Sequence, residues 1–236
     1  MELNATYMVN TFFLALTGIP TTLFMTGVAL LIGLPLGFLM ALSKIHNMGI
    51  IRHLVSFYVS FIRGTPVVLQ ILIIYSLVPS LLNTVVKSLG LPIHVFDINP
   101  ILYACIVFSI NATAELSELN RAALLTVDAG QMEAALAIGL SRAQAYIRII
   151  IPQALTAALP NLCNITIQLI KSTSLAFLMT VKDITAIAKV EAAYGYNYIE
   201  SYIVIFFMYI LVCSATQLLY SLAEKRFAAY KSLKQA

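Results

Sequence analysis

Several ionisable and amide side chains lie inside stretches that are otherwise almost wholly apolar. Asn111, Glu115 and Glu118 fall in one such stretch, with Arg121 near its end; Gln168 and Lys171 fall in another, followed directly by Ser172, Thr173 and Ser174. Arg63 stands alone in a third, immediately before Gly64, Thr65 and Pro66. A charge held in hydrocarbon costs roughly 3 kcal/mol on insertion scales unless it is paired or reaches water. Such groups therefore point to ion pairs or to recognition of a polar solute in a wet cavity. Glu115 and Lys171 are the deepest of them, so a Glu115–Lys171 or Glu118–Lys171 pair across a central cavity is expected. Glu118 and Arg121 have i,i+3 spacing and suit a local pair, although Arg121 alone also suits snorkelling. Arg63 suits packing support, on carbonyls freed by Pro66 or with an acid on the neighbouring apolar stretch, and its alternative is a direct substrate contact.

Other chemistries lack their parts. No Gly-Lys dipeptide occurs, so a phosphate-binding P-loop is absent, and no nucleophile stands with a base in a plausible wet site. His46, His53 and His94 are spaced too irregularly for a metal site. Cys105, Cys163 and Cys213 each lie alone in apolar sequence and read as small packing residues. The glycosylation sequons at Asn4, Asn111 and Asn164 read as chance matches, two of them being inside apolar stretches. Basic residues are dispersed, so the net charge of +4 is no sign of nucleic-acid binding.

The elements that must position these residues are membrane helices. Of 236 residues, 61% are hydrophobic and 10% charged, with a mean hydropathy of +0.93. A soluble domain carries about 25% charged residues, so this chain cannot cover a water-facing surface. It reads as an all-α membrane protein, one domain over 1–236 without linker or repeat. A span needs about 20 apolar residues, and five candidates meet that: residues 20–42 (with 12–18 at the interface), 54–78, 100–123, 154–179 and 198–222. The Met-Glu-Leu-Asn start lacks a basic leader, so the first span is expected to be retained.

Placing the N-terminus outside collects Lys44, Arg52, Arg121, Arg142, Arg148, Lys225, Arg226, Lys231 and Lys234 on one side. Only Lys87, Lys182 and Lys189 fall on the other. The positive-inside rule then puts the C-terminus in the cytoplasm, and the loops at 79–99 and 181–197 outside. In the second of these loops Ile184, Ile187 and Ala188 recur at helical spacing with Lys182, Asp183, Lys189 and Glu191 around them, suiting a short surface helix that either contacts an external protein or stands unengaged.

The long inner segment carries the most local pattern. Asp128 and Gln131 have capping-box spacing, and Met132, Ala135, Leu136, Gly139 and Leu140 fall on one helical face. Gly139 is a stop, and Ser141 with Gln144 repeats the box. The pattern predicts a helix–glycine–helix elbow over about 128–152, either an interfacial helix or a docking surface for a cytoplasmic protein.

Glu133-Ala134-Ala135, Gly139, Ile149 and Ile151-Pro152 resemble the EAA loop of ABC-importer permeases, with Ile151 in place of the usual Leu. Phe61-Ile62-Arg63-Gly64-Thr65-Pro66, Glu118-Leu119-Asn120-Arg121 and Leu169-Ile170-Lys171-Ser172-Thr173-Ser174-Leu175 are similar to motifs of the polar amino-acid uptake branch of that family. The resemblance implies the five-helix type I (MetI-like) permease core of a multi-pass bacterial inner-membrane protein working as a dimer, with a second copy or a related permease. It implies coupling to a cytoplasmic ABC ATPase dimer through Gly130, Gln131, Glu133, Ala134, Ala135 and Gly139. ATP and Mg would sit on that ATPase and no cofactor on this chain. An extracytoplasmic substrate-binding protein would deliver an amino acid to a pathway through Asn111, Glu115, Glu118, Gln168, Lys171, Ser172, Thr173 and Ser174. Arg63, Gly64, Thr65, Pro66 and Arg121 would be structural motif residues. Relatives handling cationic side chains carry Asp where Ser172 stands, which favours a neutral or zwitterionic cargo such as cystine or glutamine. A permease for arginine, histidine or lysine, or an ion-coupled carrier, is the rival reading.

Overall fold

The computed structural model describes residues 3–235, with side chains to residue 226. Met1 and Glu2, read above for a leader, and the Lys231 and Lys234 side chains, counted for orientation, lie outside what is described.

Helix α1 (Ala5–Leu16) starts where the Asn4 side chain accepts the Tyr7 N–H at 3.0 Å. A corner at Thr17–Gly18 leads into α2 (Ile19–Ile45), which opens with Pro20 in its first turn, where a missing N–H costs nothing. The corner needs glycine: a Cβ on Gly18 would lie 2.5 Å from the Ile184 nitrogen and 2.6 Å from the Asp183 carbonyl carbon. The first span thus agrees with the expectation, and residues 12–16 close a separate helix that turns at Thr17–Gly18.

α2 packs most extensively against α5 (Pro100–Leu125). Gly33 and Gly37 bring the two backbones together over Ala112, Thr113, Leu116 and Ser117. Small residues are how membrane helices approach closely, since lipid gives no hydrophobic drive between them. Phe108, Val107, Leu116, Met25 and Ala29 are fully or almost fully buried in the resulting core.

The second span differs from the expectation. Apolar sequence runs without pause from Leu54 to Val78, yet the helix stops at Gly64 and restarts at Val67, giving α3 (Gly49–Gly64) and α4 (Val67–Ser88). Pro66 has no N–H and disfavours the α conformation for the residue before it; Thr65 is extended, at φ −117° and ψ 142°. α4 alone is long and apolar enough to cross a membrane. It also runs to Ser88, so the expected loop at 79–99 begins as helix, with Pro79 inside it.

The elbow consists of α6 (Ala129–Ala137) and α7 (Arg142–Ala145), the latter continuing through a widened π turn (Tyr146–Ile150) into α8 (Ile151–Ser172). Pro152 cannot give the Arg148 carbonyl its α-helical N–H, and the turn before it loosens to π geometry. α8 then tightens into a 3-10 segment (Thr173–Met179). α9 (Ile184–Gly195) is the short helix expected beyond the fourth span, and α10 (Tyr198–Gln235) is the last. Five helical stretches are long and apolar enough to span: Ala5–Ile45, Val67–Ser88, Pro100–Leu125, Arg142–Met179 and Tyr198–Arg226.

Candidate functional site: an elbow, a broken helix and a cationic cleft

The elbow is closed by its own backbone. Gly139 adopts φ +84°, where only glycine is unstrained. That turn lets the Leu140 N–H reach the Ala135 carbonyl at 3.1 Å and the Gly139 N–H reach Leu136 at 3.0 Å, a complete Schellman closure. Ser141 and Gln144 form the expected capping box, with bonds of 3.3 and 2.9 Å. The Asp128 box is only half present. Asp128 Oδ1 accepts the Gly130 N–H at 2.7 Å, but Gln131 turns away to accept from Gln153 Nε2 at 3.4 Å, tying α6 to α8. Ala135 is buried and Met132 and Leu140 half-buried. Leu136, Gly139 and Ile138 stay exposed, so the apolar face is narrower than its period suggests. Gly130, Gln131, Glu133 and Ala134 are likewise exposed.

The two carboxylates of α5 have different fates. Glu118 accepts from Lys44 Nζ at 2.6 Å and from Arg121 at 3.1 Å, so the expected i,i+3 pair forms inside a three-residue cluster linking the end of α2 to α5. Glu115 lies 3.7 Å from Arg63 Nε. Neither reaches Lys171, and the expected cross-cavity pair is therefore wrong. The acids of α5 face α2 and α3, whereas Lys171 on α8 projects toward α9 and α10.

The helix break is held by amides. Gln70, almost fully buried, donates from Nε2 to the Ile62 carbonyl at 3.0 Å, the Thr65 carbonyl at 3.2 Å and Thr65 Oγ1 at 2.7 Å. Asn111 donates in turn to Gln70 Oε1 at 2.7 Å and to the Val107 carbonyl at 3.0 Å. Half-buried Asn111 thus buttresses the break. Of the two packing roles expected of Arg63, the carbonyl role belongs to Gln70 and the acid pair is the one formed. Gly64 and Pro66 are exposed, and a Cβ on Gly64 would meet open space.

A cleft of about 720 Å³ opens between α8, α9 and α10. Lys171 and Ser174 line it, joined by Asn164, Lys189, Tyr202 and Gln217, with no carboxylate on its walls. Lys189 Nζ sits 4.1 Å over the Phe177 ring. Of the other expected pathway residues, Gln168 is exposed, Ser172 is half-buried, and Thr173 is buried with its hydroxyl donating to the Ile170 carbonyl at 2.7 Å. Beside the cleft, buried Asp183 caps α9, accepting from Ala186 N at 2.8 Å and from the Tyr209 hydroxyl at 3.2 Å. Burial pushes its carboxyl above the ordinary aspartate range, and these hydrogen bonds offset only part of that rise. Gln70 and Lys44 were not expected at a site, and Lys189 and Asp183 were expected only around the outer surface helix. Gln70 carried a usable signal, being the polar residue four places after a proline inside an apolar run.

Comparison with known proteins bears on the whole arrangement. Residues 33–229 match the family model described as binding-protein-dependent transport system inner membrane component. The chain is 35% identical over 208 residues to the L-cystine transport system permease protein TcyL of Bacillus subtilis (strain 168), covering 88% of this chain and 84% of TcyL. A crystal structure of an amino acid ABC transporter with histidines superposes with TM-score 0.77 at 31% identity, over 96% of this chain and 100% of that one. An inward-facing MetNI methionine ABC transporter structure shares the fold, with TM-score 0.69 at 19% identity over 91% and 96% of the respective chains. The five spans, the elbow and the family match agree, and the chain belongs to the inner-membrane components of binding-protein-dependent transport systems.

Proposed function

We propose that this chain is the permease subunit of an ATP-driven importer of polar amino acids, most suited to a neutral or zwitterionic cargo. The single observation that carries the reading is the elbow. A nine-residue helix closed by a Schellman turn at Gly139 stands between two spans with Gln131, Glu133, Ala134 and Ile138 exposed. A short rigid helix whose open face mixes Gly130, Ala134 and Ala137 with the longer Gln131 and Glu133 suits a cleft in a partner. The partner is a separate ABC ATPase carrying ATP and Mg, since this chain has no phosphate-binding loop. Basic residues concentrate at the elbow end of the helices, which supports a cytoplasmic elbow and an outside N-terminus. The opposite end, with α9, is then where a substrate-binding protein would dock. The relative TcyL is named for L-cystine. A cleft bearing Lys171 and Lys189 without a carboxylate supports a cargo with a free carboxylate over a purely cationic one.

The test is reconstitution. Co-purification with an ATPase subunit and ATP-dependent uptake with the receptor present support the proposal. Uptake driven by an ion gradient without ATP overturns it. Lys171→Met with normal assembly is expected to depress uptake about tenfold or more, the effect of losing one charge-assisted contact; unchanged uptake removes Lys171 from the pathway.

A further inference from the structure

Asp183 stands apart from the acids of α5. Each of those meets a cation, whereas Asp183 is wholly buried and has no cation within salt-bridge distance among the described residues. Its partners are neutral. Oδ1 accepts the Ala186 N–H at 2.8 Å, and Oδ2 contacts the Tyr209 hydroxyl at 3.2 Å, which also lies 3.2 Å from Thr185 Oγ1. The elements packed around it bring little charge. α10 presents Tyr209; α1 carries one titratable side chain, Tyr7, taken up by Ser201 at 2.6 Å; the first turns of α2 and the 3-10 segment carry none. α8 brings Lys171 to the cleft nearby. On its own stretch Lys182 is exposed, and Lys189 and Glu191 follow about two turns further on, Lys189 held over the Phe177 ring at 4.1 Å. A carboxylate at position 183 would lack both water and counter-charge, so the site favours the protonated acid.

This acid holds one end of α9. It caps the helix, and the Gly18 corner presses on it so closely that a Cβ there would lie 2.6 Å from the Asp183 carbonyl carbon. Thr180 at φ +60° and Tyr196 at φ +57° bracket α9 in left-handed backbone, which a β-branched or bulky residue adopts only where packing imposes it. α9 supplies Thr185 and Lys189 to the wall of the cleft of about 720 Å³, so the seating of this helix sets how far the cleft is open.

We propose that Asp183 is a proton-operated latch: protonated, it seats α9 against the cleft, and ionised, it releases the helix. Loss of the proton leaves an anion that must be hydrated, and water reaches it only when the first turn of α9 lifts from Gly18 and Tyr209. The left-handed residues at both ends then relax, and Thr185 and Lys189 withdraw from the cleft wall. The seated form keeps its proton above the ordinary aspartate range, so seating is complete at low pH and is lost as pH rises through the raised value. That α9 faces the outside medium rests on the importer reading above; the latch itself does not.

Cys213 lines the same cleft and reports its opening. In a Cys105→Ala/Cys163→Ala background, labelling by dithiodipyridine is followed in nanodiscs from about pH 4 to about pH 8, from the ordinary aspartate value to several units above it. Dividing each rate by that of Asp183→Asn at the same pH cancels the titration of the thiol. The ratio should be near one at the acid end and then rise by up to about tenfold per pH unit, the limit for one proton. Tyr209→Phe removes a hydrogen bond that favours the carboxylate, so its rise should come at higher pH. Within that window wild type should label faster than Tyr209→Phe, a comparison that holds even where Asp183→Asn fails to assemble. A flat or falling ratio, or Tyr209→Phe labelling raised equally at every pH, overturns the proposal. ATP-driven uptake with the receptor, measured in parallel, decides the importer reading separately, because the labelling needs neither ATP nor receptor.

Discussion

Replacing Gly139 by alanine isolates the backbone contribution of the elbow. Gly139 holds φ +84°, and a Cβ added there meets no atom within 4 Å, so the substitution introduces no clash within the chain. What remains is the left-handed conformation, which costs a non-glycine residue about 1–2 kcal/mol. The contacts that hold the elbow are of the same size, about 1 kcal/mol for each side-chain cap at Asp128 and Ser141. The alanine variant should therefore shift the elbow roughly fivefold to thirtyfold toward open conformations. Apparent affinity for the ATPase falls with the competent fraction. Titrating the ATPase subunit onto the permease in nanodiscs should then show a dissociation constant raised by up to about the same factor, with the melting temperature of the bundle unchanged. Gly139→Asn is the control, because asparagine tolerates positive φ better than alanine, and its loss should be smaller. Unchanged ATPase affinity in the alanine variant would falsify the conformational argument. Equal losses for alanine and asparagine would replace it with side-chain bulk at the interface.

Other regions make equally definite predictions. Glu118→Gln leaves Lys44 and Arg121 facing each other without their shared anion; with a quarter of the glutamate exposed, about 1–3 kcal/mol of stability should be lost. A Lys44→Met/Glu118→Gln cycle followed by thermal denaturation in detergent should show coupling, and additive losses would deny the pair. Gly18→Ala drives a methyl into the Asp183–Ile184 backbone, which cannot rotate away, and should lower stability by about 1–3 kcal/mol or more. Gly64→Ala, which meets open space, is its control; similar losses in both would mean that helix propensity alone is being read. Asp183 has a raised carboxyl pKa, so its folded form holds a proton that the unfolded chain has already released. Its stabilising share is complete below the ordinary aspartate range and is lost as pH rises through the raised value. Asp183→Asn keeps an acceptor for the Ala186 N–H and should flatten the melting temperature across that window; an unchanged pH slope would show that the carboxyl is not the titrating group.

Which features were legible in sequence follows from the range of the forces involved. Spans are set by local hydropathy, and the third and fifth appear close to where they were expected, at Pro100–Leu125 and from Tyr198. The elbow is set by caps and one glycine, all within a few residues, and its second box was read correctly. The second span failed for the opposite reason. Hydropathy averages across Thr65–Pro66 as though the helix continued, while the break depends on one missing N–H and one steric clash. Gln70 and Asn111 then become legible together, because a broken helix inside a membrane leaves carbonyls that some nearby side chain must satisfy. The pairing of Lys171 failed because partner choice between spans depends on which way each helix faces. Nothing in the order of residues says that α8 turns Lys171 toward α10 and not toward α5.

That failure alters the electrostatic picture of the bundle. Had Lys171 paired with an acid of α5, the cleft would carry one cation fewer and say less about cargo. Instead the two acids on α5 are met by three cations, Lys44, Arg63 and Arg121, and the cleft along α10 is lined by Lys171 and Lys189, with the buried, hydrogen-bonded Asp183 beside it. Of the two carboxylates on α5, Glu115 is the less completely paired, with Arg63 at its side. A solute bearing only positive charge meets repulsion in the cleft, and at Glu115 it meets an anion already shared with a guanidinium. A solute bearing a carboxylate and an ammonium meets attraction at both.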